Sequence, residues 1–327
     1  MEAFVPRLAF PVLESLPRSY YLGHHAAGLA KMRSLLGSIN LVIECRDSRV
    51  PLTSHNPLFE QSLGEREHII VYTKKDLCPV ISPQLPLLRR FHFPSELLCC
   101  DHRSPGDVRR VMSHIKRERT GDLAGLRVMV VGMPNVGKSS LLNALRAQGM
   151  GRGKAARTGA QPGITRKIGT GVKILDSKDR SETVYLIDTP GVFMPYVPNM
   201  EAMLRLALCG CVKDAVIQPL TLADYLLFHM NKHDPKLYGD YASPTNDVAM
   251  LLDGVARRAF PLKKGGEPDL NGAAMWIIQR WRNGLLGSFG LDEVSDASWQ
   301  ALVESREAQS FSKSRREWMK RRRQGET

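Results

Sequence analysis

The sequence predicts an α/β chain, a parallel-rich sheet flanked by helices and followed by an all-α region. Three observations carry that expectation. Short apolar, β-branched runs alternate with helical spacings as far as residue 197. One glycine-bearing stretch, Gly132-Met133-Pro134-Asn135-Val136-Gly137-Lys138-Ser139, joins such a run to a helix. From Pro198 to Asp292 the apolar residues recur at helical spacing and strand-like runs are lacking.

Taken in order, residues 1–19 carry Phe4, Val5, Leu8, Phe10, Val12 and Leu13 beside Arg7 and Arg18. That pattern suits a short amphipathic targeting helix, although Glu2, Glu14 and the prolines oppose it. Tyr20 to Leu36 begins with Gly23-His24-His25 and continues as a helix. Ile39 to Cys45 reads as a strand ending in Arg46-Asp47-Ser48-Arg49, either a ligand-facing edge or a salt-bridged turn. His68 to Tyr72 is a second strand, ending in Thr73-Lys74-Lys75-Asp76. Leu97 to Cys100 is a third, and the following Asp101-His102-Arg103-Ser104 is placed for a further base-contacting loop. A basic helix over Pro105 to Arg117 leads to the strand Leu126 to Val131, the glycine-bearing loop and a helix over Ser140 to Arg146. Gly149 to Lys173, rich in glycine and basic residues, should be a mobile loop. Thr183 to Ile187 is a strand ending in Asp188-Thr189-Pro190-Gly191. Beyond it, Met203 to Leu208, Leu222 to Met230 and Met250 to Phe260 supply the faces of a bundle. The expected divisions are an extension over 1–19, an α/β domain over 20–197, a helical domain over 198–300 and a basic tail over 301–327.

The chemistry follows from what these loops can offer. A strand, a glycine-bearing loop and a helix N-terminus make a phosphate cradle. The amides of Pro134 to Ser140, proline excepted, can close around phosphate oxygens, Lys138 reaches the outer phosphates, and Ser139 offers a hydroxyl to Mg²⁺. Asp188 stands where an acidic residue after a strand holds the same ion, and the Gly191 N–H can meet the terminal phosphate. Thr165, within Pro162-Gly163-Ile164-Thr165, can supply a further Mg²⁺ ligand. Asp76 can accept both N1–H and the exocyclic amine of guanine, whereas adenine would leave that carboxylate unpaired. Lys74 can lay its alkyl stem on the purine face, and Thr73 and Lys75 complete the base loop.

The net charge of +13 favours a polyanionic partner, nucleic acid or an anionic membrane surface. The basic stretch Lys313 to Arg323 can neutralise phosphates without reading sequence, and Lys263 and Lys264 beside Gly265-Gly266 can do the same. Cys45, Cys78, Cys99, Cys100, Cys209 and Cys211 show no CxxC pair, which points to reduced structural thiols and excludes a disulfide framework or zinc ribbon. No apolar run approaches the length of a membrane span.

The order of the parts is unusual, because the base-reading tetrad precedes the phosphate loop and Asp188 to Gly191 comes last. Moving a terminus to another surface loop preserves every strand neighbour, so one site can be rebuilt from permuted segments. In this the chain resembles the circularly permuted P-loop GTPases of ribosome assembly. The resemblance runs from about Tyr20 to Leu291 and covers Gly23-His24, Asp47-Ser48-Arg49 with Asn56-Pro57, the base tetrad, the GxPNVGKS loop, PGIT and DTPG. It also covers Leu206-Ala207 to Lys213-Asp214, the stretch from Gly265 to Leu270, and Arg282-Asn283-Gly284.

The resemblance implies GTP and GDP as ligands, Mg²⁺, and K⁺ held by Asn135 in place of an arginine finger. Val192 stands where many GTPases carry a water-orienting glutamine. The family implies slow turnover stimulated by a large ribosomal subunit, here that of the mitochondrion. It further implies contact with rRNA, a monomer, and a matrix-side place with peripheral attachment to the inner membrane. Thr73 departs from the usual asparagine, which should reduce guanine affinity while Asp76 keeps the discrimination. Two rivals stand beside this reading: a nucleotide-independent RNA-binding scaffold with a vestigial site, and an RNA-modification GTPase, for which no folate, methyl-donor or metal site is visible.

Overall fold

The sheet is ordered β3-β2-β1-β4-β6-β5, so the chain starts at its middle, runs to one edge and returns. The structure is a computed structural model that describes residues 4–11, 23–63, 66, 68–118, 125–151, 153, 171–177, 183–194, 197–259 and 268–305. The strands are β1 (Leu41–Asp47), β2 (His68–Thr73), β3 (Glu96–Cys100), β4 (Leu126–Gly132), β5 (Val172–Leu175) and β6 (Val184–Asp188). The first half carries helices α1 (Gly23–Leu35), α2 (Pro57–Leu63), α3 (Ile81–His92), α4 (Pro105–Arg117) and α5 (Lys138–Met150). The helical half carries α6 (Met200–Leu208), α7 (Pro219–His233), α8 (Val248–Ala259) and α9 (Leu270–Arg282). Residues 296–305 are helical as well.

All pairings among β3, β2, β1, β4 and β6 are parallel, and β5 alone runs antiparallel at the edge. Register does the work of assembling a site. Asp47 lies opposite Thr73, Thr73 opposite Cys100, Cys45 opposite Gly132 and Val130 opposite Asp188. Each of these residues is at or near the C-terminal end of its strand, so every loop marked in the sequence leaves from one edge of the sheet. Strand order reverses between β1 and β4, which is where an open α/β sheet opens a crevice for ligands.

The strands alternate their buried faces. Leu41, Ile43, Cys45, Val128 and Val130 pack in one cluster with Leu141 and Leu145 of α5 and Val108 and Val111 of α4. Val42, Met129, Val131 and Ile187 face Leu29 and Met32 of α1 and Phe59 of α2. Near the other edge, Ile70, Tyr72 and Cys99 meet Ile81 and Leu88 of α3. The first cluster does not stop at residue 197: Phe193, Met194 and Val197 continue it into α6, α7, α8 and α9. The two halves therefore share one core.

Several expectations change. The glycine-rich stretch ends in a strand, because Val172 to Leu175 pairs with β6; the residues between 154 and 170 lie outside those described. Helix α9 was not among the expected faces, yet it buries Ala273, Ala274, Ile277, Ile278 and Trp281. The described part of the N-terminal extension, 4–11, is not helical. It lies along α7, where Arg7 donates to Asp224 Oδ1 at 2.6 Å and the Phe10 ring meets that of Tyr225 edge-on at 5.0 Å. Among the described residues no helix is long and apolar enough to cross a membrane. All six cysteines are free and buried, and burial pushes Cys78, Cys99 and Cys100 up to about 12, which makes them inert.

Trp281 joins the halves most directly, being 1% exposed with the Arg49 guanidinium 4.7 Å from its ring centroid. Replacing it by alanine removes a large buried aromatic from this junction, so Trp281→Ala should cost about 3–5 kcal/mol in urea denaturation monitored by circular dichroism. A cost below about 1 kcal/mol would show that the junction is not packed as described.

Candidate functional site

The glycine-bearing loop leaves β4 and enters α5 as a phosphate cradle should. Gly137 adopts φ +93° as the N-cap of α5, and Asn135 adopts φ +57°, a left-handed conformation uncommon for a side-chain-bearing residue. Lys138 is 6% exposed, and its Nζ donates to Met133 O at 2.7 Å and Gly132 O at 3.2 Å. Burial lowers the Lys138 pKa, against the attraction of Asp188. Ser139 Oγ donates to Asp188 Oδ2 at 2.7 Å. Two oxygen ligands from different elements thus meet beside a helix N-terminus, a donor set that fits Mg²⁺. Thr165, the expected third ligand, lies outside the described residues.

The Asp188-Thr189-Pro190-Gly191 loop is pressed against the cradle. Thr189 Oγ1 donates to Val130 O at 2.7 Å and Val192 N to Gly132 O at 3.3 Å. A methyl group at Gly191 would lie 2.5 Å from Pro134 Cα, so only glycine allows this approach. Val192 is buried in the α1 cluster and offers no polar group to the cleft. Behind it, Asn56 Nδ2 donates to Val192 O at 2.9 Å, and His25 Nδ1 lies 3.0 Å from Gly191 O. The Asp188 to Gly191 loop is therefore gripped from α1 and from the start of α2.

The base loop divides its work. Thr73, 5% exposed, shares its hydroxyl proton between Arg46 O at 3.0 Å and Val136 O, and its side chain packs on Gly137. Thr73 thus braces the phosphate loop, as a shorter substitute for a side-chain amide can. Lys74, at φ +55°, sends its Nζ to Asp47 Oδ2 at 2.9 Å and Asn135 O at 2.7 Å. Lys75 turns away to Asp107 of α4, with its Nζ 3.2 Å from Oδ2. The Asp76 carboxylate accepts from Arg103, which also donates through Nε to Asp101 Oδ1 at 3.3 Å. A cavity of about 40 Å³ lies between Thr73, Lys74, Cys100, His102, Gly137 and Ser140.

Asp47 follows the second of the two readings of its motif, a buried ion-paired turn, at the sheet edge from which the other loops leave. Arg49 donates to Oδ1 at 3.0 Å and to Oδ2 at 2.8 Å, and Lys74 shares Oδ2. Burial by itself would raise this carboxyl, but Arg49 and Lys74 outweigh it and hold it well below the usual carboxylate range. Arg49 pairs with Asp47 two residues away, as a salt-bridged turn allows, whereas Arg103 reaches Asp76 and His25 reaches Gly191 from distant parts of the chain, pairings that no local pattern marks.

This geometry has counterparts. A family profile described as "50S ribosome-binding GTPase" matches residues 127–238. Mitochondrial GTPase 1 of Schizosaccharomyces pombe is 36% identical over 315 residues, covering 89% of this chain and 94% of that one. The chain belongs to that family. Mitochondrial ribosome-associated GTPase 1 of Mus musculus is 37% identical over 309 residues, with 88% and 93% covered. The crystal structure of GNP-bound YlqF from T. maritima matches with TM-score 0.57 at 21% identity, over 82% of this chain and 98% of that one, which shows the shared fold. The permuted order expected from the sequence is thus the order of a GTPase family.

Asp47→Asn leaves Arg49 and Lys74 with an uncharged partner in a buried place, so it should cost about 3–5 kcal/mol at neutral pH. Because the native carboxyl sits below its unfolded value near 3.9, the charge contributes in full above about pH 4–5 and is lost as pH falls. Urea denaturation of wild type and variant should therefore differ most at pH 7, with the gap beginning to narrow as pH falls below about 4.

Proposed function

We propose that the protein is a GTP-hydrolysing assembly factor for the large subunit of the mitochondrial ribosome, holding rRNA or the subunit while GTP is bound and changing its grip on hydrolysis. The observation that carries the nucleotide part is the meeting of Ser139 and Asp188 at 2.7 Å on the same sheet edge as Asp76. Amides of the loop 133–140 hold the phosphates, Lys138 lies against their outer oxygens, and Asp76 accepts from guanine N1–H and its amine. Mg²⁺ held by Ser139 and Asp188 would offset charge on the phosphates. Asn135 fits K⁺ through its amide oxygen, since its Nδ2 is directed to Cys209 O at 3.5 Å.

With Val192 buried, no side-chain amide follows Gly191 to orient water, so intrinsic turnover is slow and awaits the partner. A ribosomal partner and a mitochondrial location are supported by the names of the relatives, and the net charge of +13 suits rRNA on the matrix side. Lys263, Lys264 and the Lys313 to Arg323 tail, outside the described residues, would take rRNA phosphates and touch the inner membrane peripherally. The protein works as a monomer. The scaffold reading is disfavoured because a vestigial site has no reason to keep its serine, aspartate and lysine in register.

GTP hydrolysis by the purified protein in K⁺ buffer should rise at least about tenfold with large mitochondrial subunits. Normal GTP binding without stimulation would favour the scaffold. Asp76→Asn should weaken GDP binding roughly ten- to hundredfold and admit xanthine nucleotides, whose C2 carbonyl can accept from the new amide. Unchanged base preference, read by competition against labelled GDP, would remove Asp76 from the base site.

A further inference from the structure

Two stretches that resemble the family, 206–214 and Arg282-Asn283-Gly284, meet in the structure. Helix α6 ends with Gly210 N donating to Ala207 O at 2.9 Å and Cys211 N to Leu206 O at 2.9 Å, with Gly210 at φ +79°. This is the left-handed glycine stop that satisfies some terminal carbonyls of a helix. Arg282, at the end of α9 and 8% exposed, braces the same turn. Its Nε donates to Leu208 O and its Nη2 to Ala207 O and Asp214 Oδ1, each at 2.8 Å.

The turn so fixed presses on the phosphate loop. Asn135 Nδ2 lies 3.5 Å from Cys209 O, and a methyl group at Gly210 would come within 2.7 Å of the same nitrogen. The Asn135 backbone carbonyl is meanwhile held by Lys74 Nζ at 2.7 Å. One left-handed residue of the loop is therefore gripped from both halves, by the base loop on its carbonyl and by the helical half on its amide.

We propose that Arg282 is a positioning residue for the phosphate loop: by fixing the Cys209–Gly210 turn it holds the Asn135 side chain and hence the loop around bound phosphate. The route is separate from the Asp188 to Gly191 loop, so the helical half meets the nucleotide twice. By linkage, a partner that shifts the α6–α9 clasp changes nucleotide affinity by the factor by which nucleotide changes that partner's affinity. The inference rests on the reading of residues 132–139 as a guanine-nucleotide phosphate loop.

The test is a double-mutant cycle on the full chain, reading fluorescent-GDP affinity and thermal unfolding. Lysine cannot make the three planar bonds of Arg282, and Gly210→Ala strains the turn at φ +79° while crowding Asn135. Arg282→Lys and Gly210→Ala should each weaken GDP binding about five- to tenfold, the scale of one modest hydrogen bond. In an Asn135→Ala background neither should add a further loss, because the side chain they act through is gone. Losses that simply add, or no loss in either variant, overturn the proposal and leave Arg282 as a helix cap. Should Arg282→Lys fail to fold, the Gly210→Ala cycle decides alone. A wild-type chain that binds no GDP overturns the nucleotide reading itself, whereas wild-type binding with additive variants overturns only the clasp.

Discussion

The carboxylate of Asp47 is the constraint on which the rest depends. It ends β1 at the point where strand order reverses, it is fully buried, and two cations must meet it there. Lys74 carries the connection to the base loop and the Asn135 carbonyl, and Arg49 carries it to Trp281 and, through its own carbonyl, to Leu291 N at 2.7 Å. A buried charge of this kind contributes little net stability compared with apolar packing, but losing one partner is costly. The arrangement therefore specifies geometry: base loop, phosphate loop and helical half cannot move independently without uncovering a charge.

Much of this was legible in the sequence. Strands with short apolar runs between turn-forming motifs emerged within a residue or two, because burial on both faces leaves β-branched residues little competition. The phosphate loop, Ser139, Asp188 and Asp76 could be placed because each motif carries its chemistry in adjacent residues. Strand β5 was hidden because a short edge strand within basic sequence has no alternation to show. Helix α9 was readable in principle, since Ala273, Ala274, Ile277, Ile278 and Trp281 follow a helical stripe, but glycine and charged residues around it obscured the face. The partners of Asp76 and Asn135 were not readable, for Arg103 and Cys209 reach them through the fold, whereas the Asp47–Arg49 pair is the salt-bridged turn that the local sequence allows.

Thr73 shows the same limit at a single position. Read alone, a threonine in place of asparagine looks like a loss for the base. In the structure its hydroxyl serves Val136 O and its side chain supports Gly137, so the residue works on the phosphate side of the site. Permutation adds a consequence at the other end of the chain. Because Asp188 to Gly191 precedes α6 in the chain, and the end of α6 returns to Asn135, that segment and the helix that follows it flank the glycine-bearing loop from two sides and form a circuit around it.

That circuit is the central claim, and hydrogen exchange on the full chain with and without GDP tests it most directly. The account predicts that GDP slows exchange at residues 133–139 and at residues 207–214 together, since both sides of the Asn135 contact settle at once. Protection confined to the phosphate loop, with 207–214 unchanged, would contradict it.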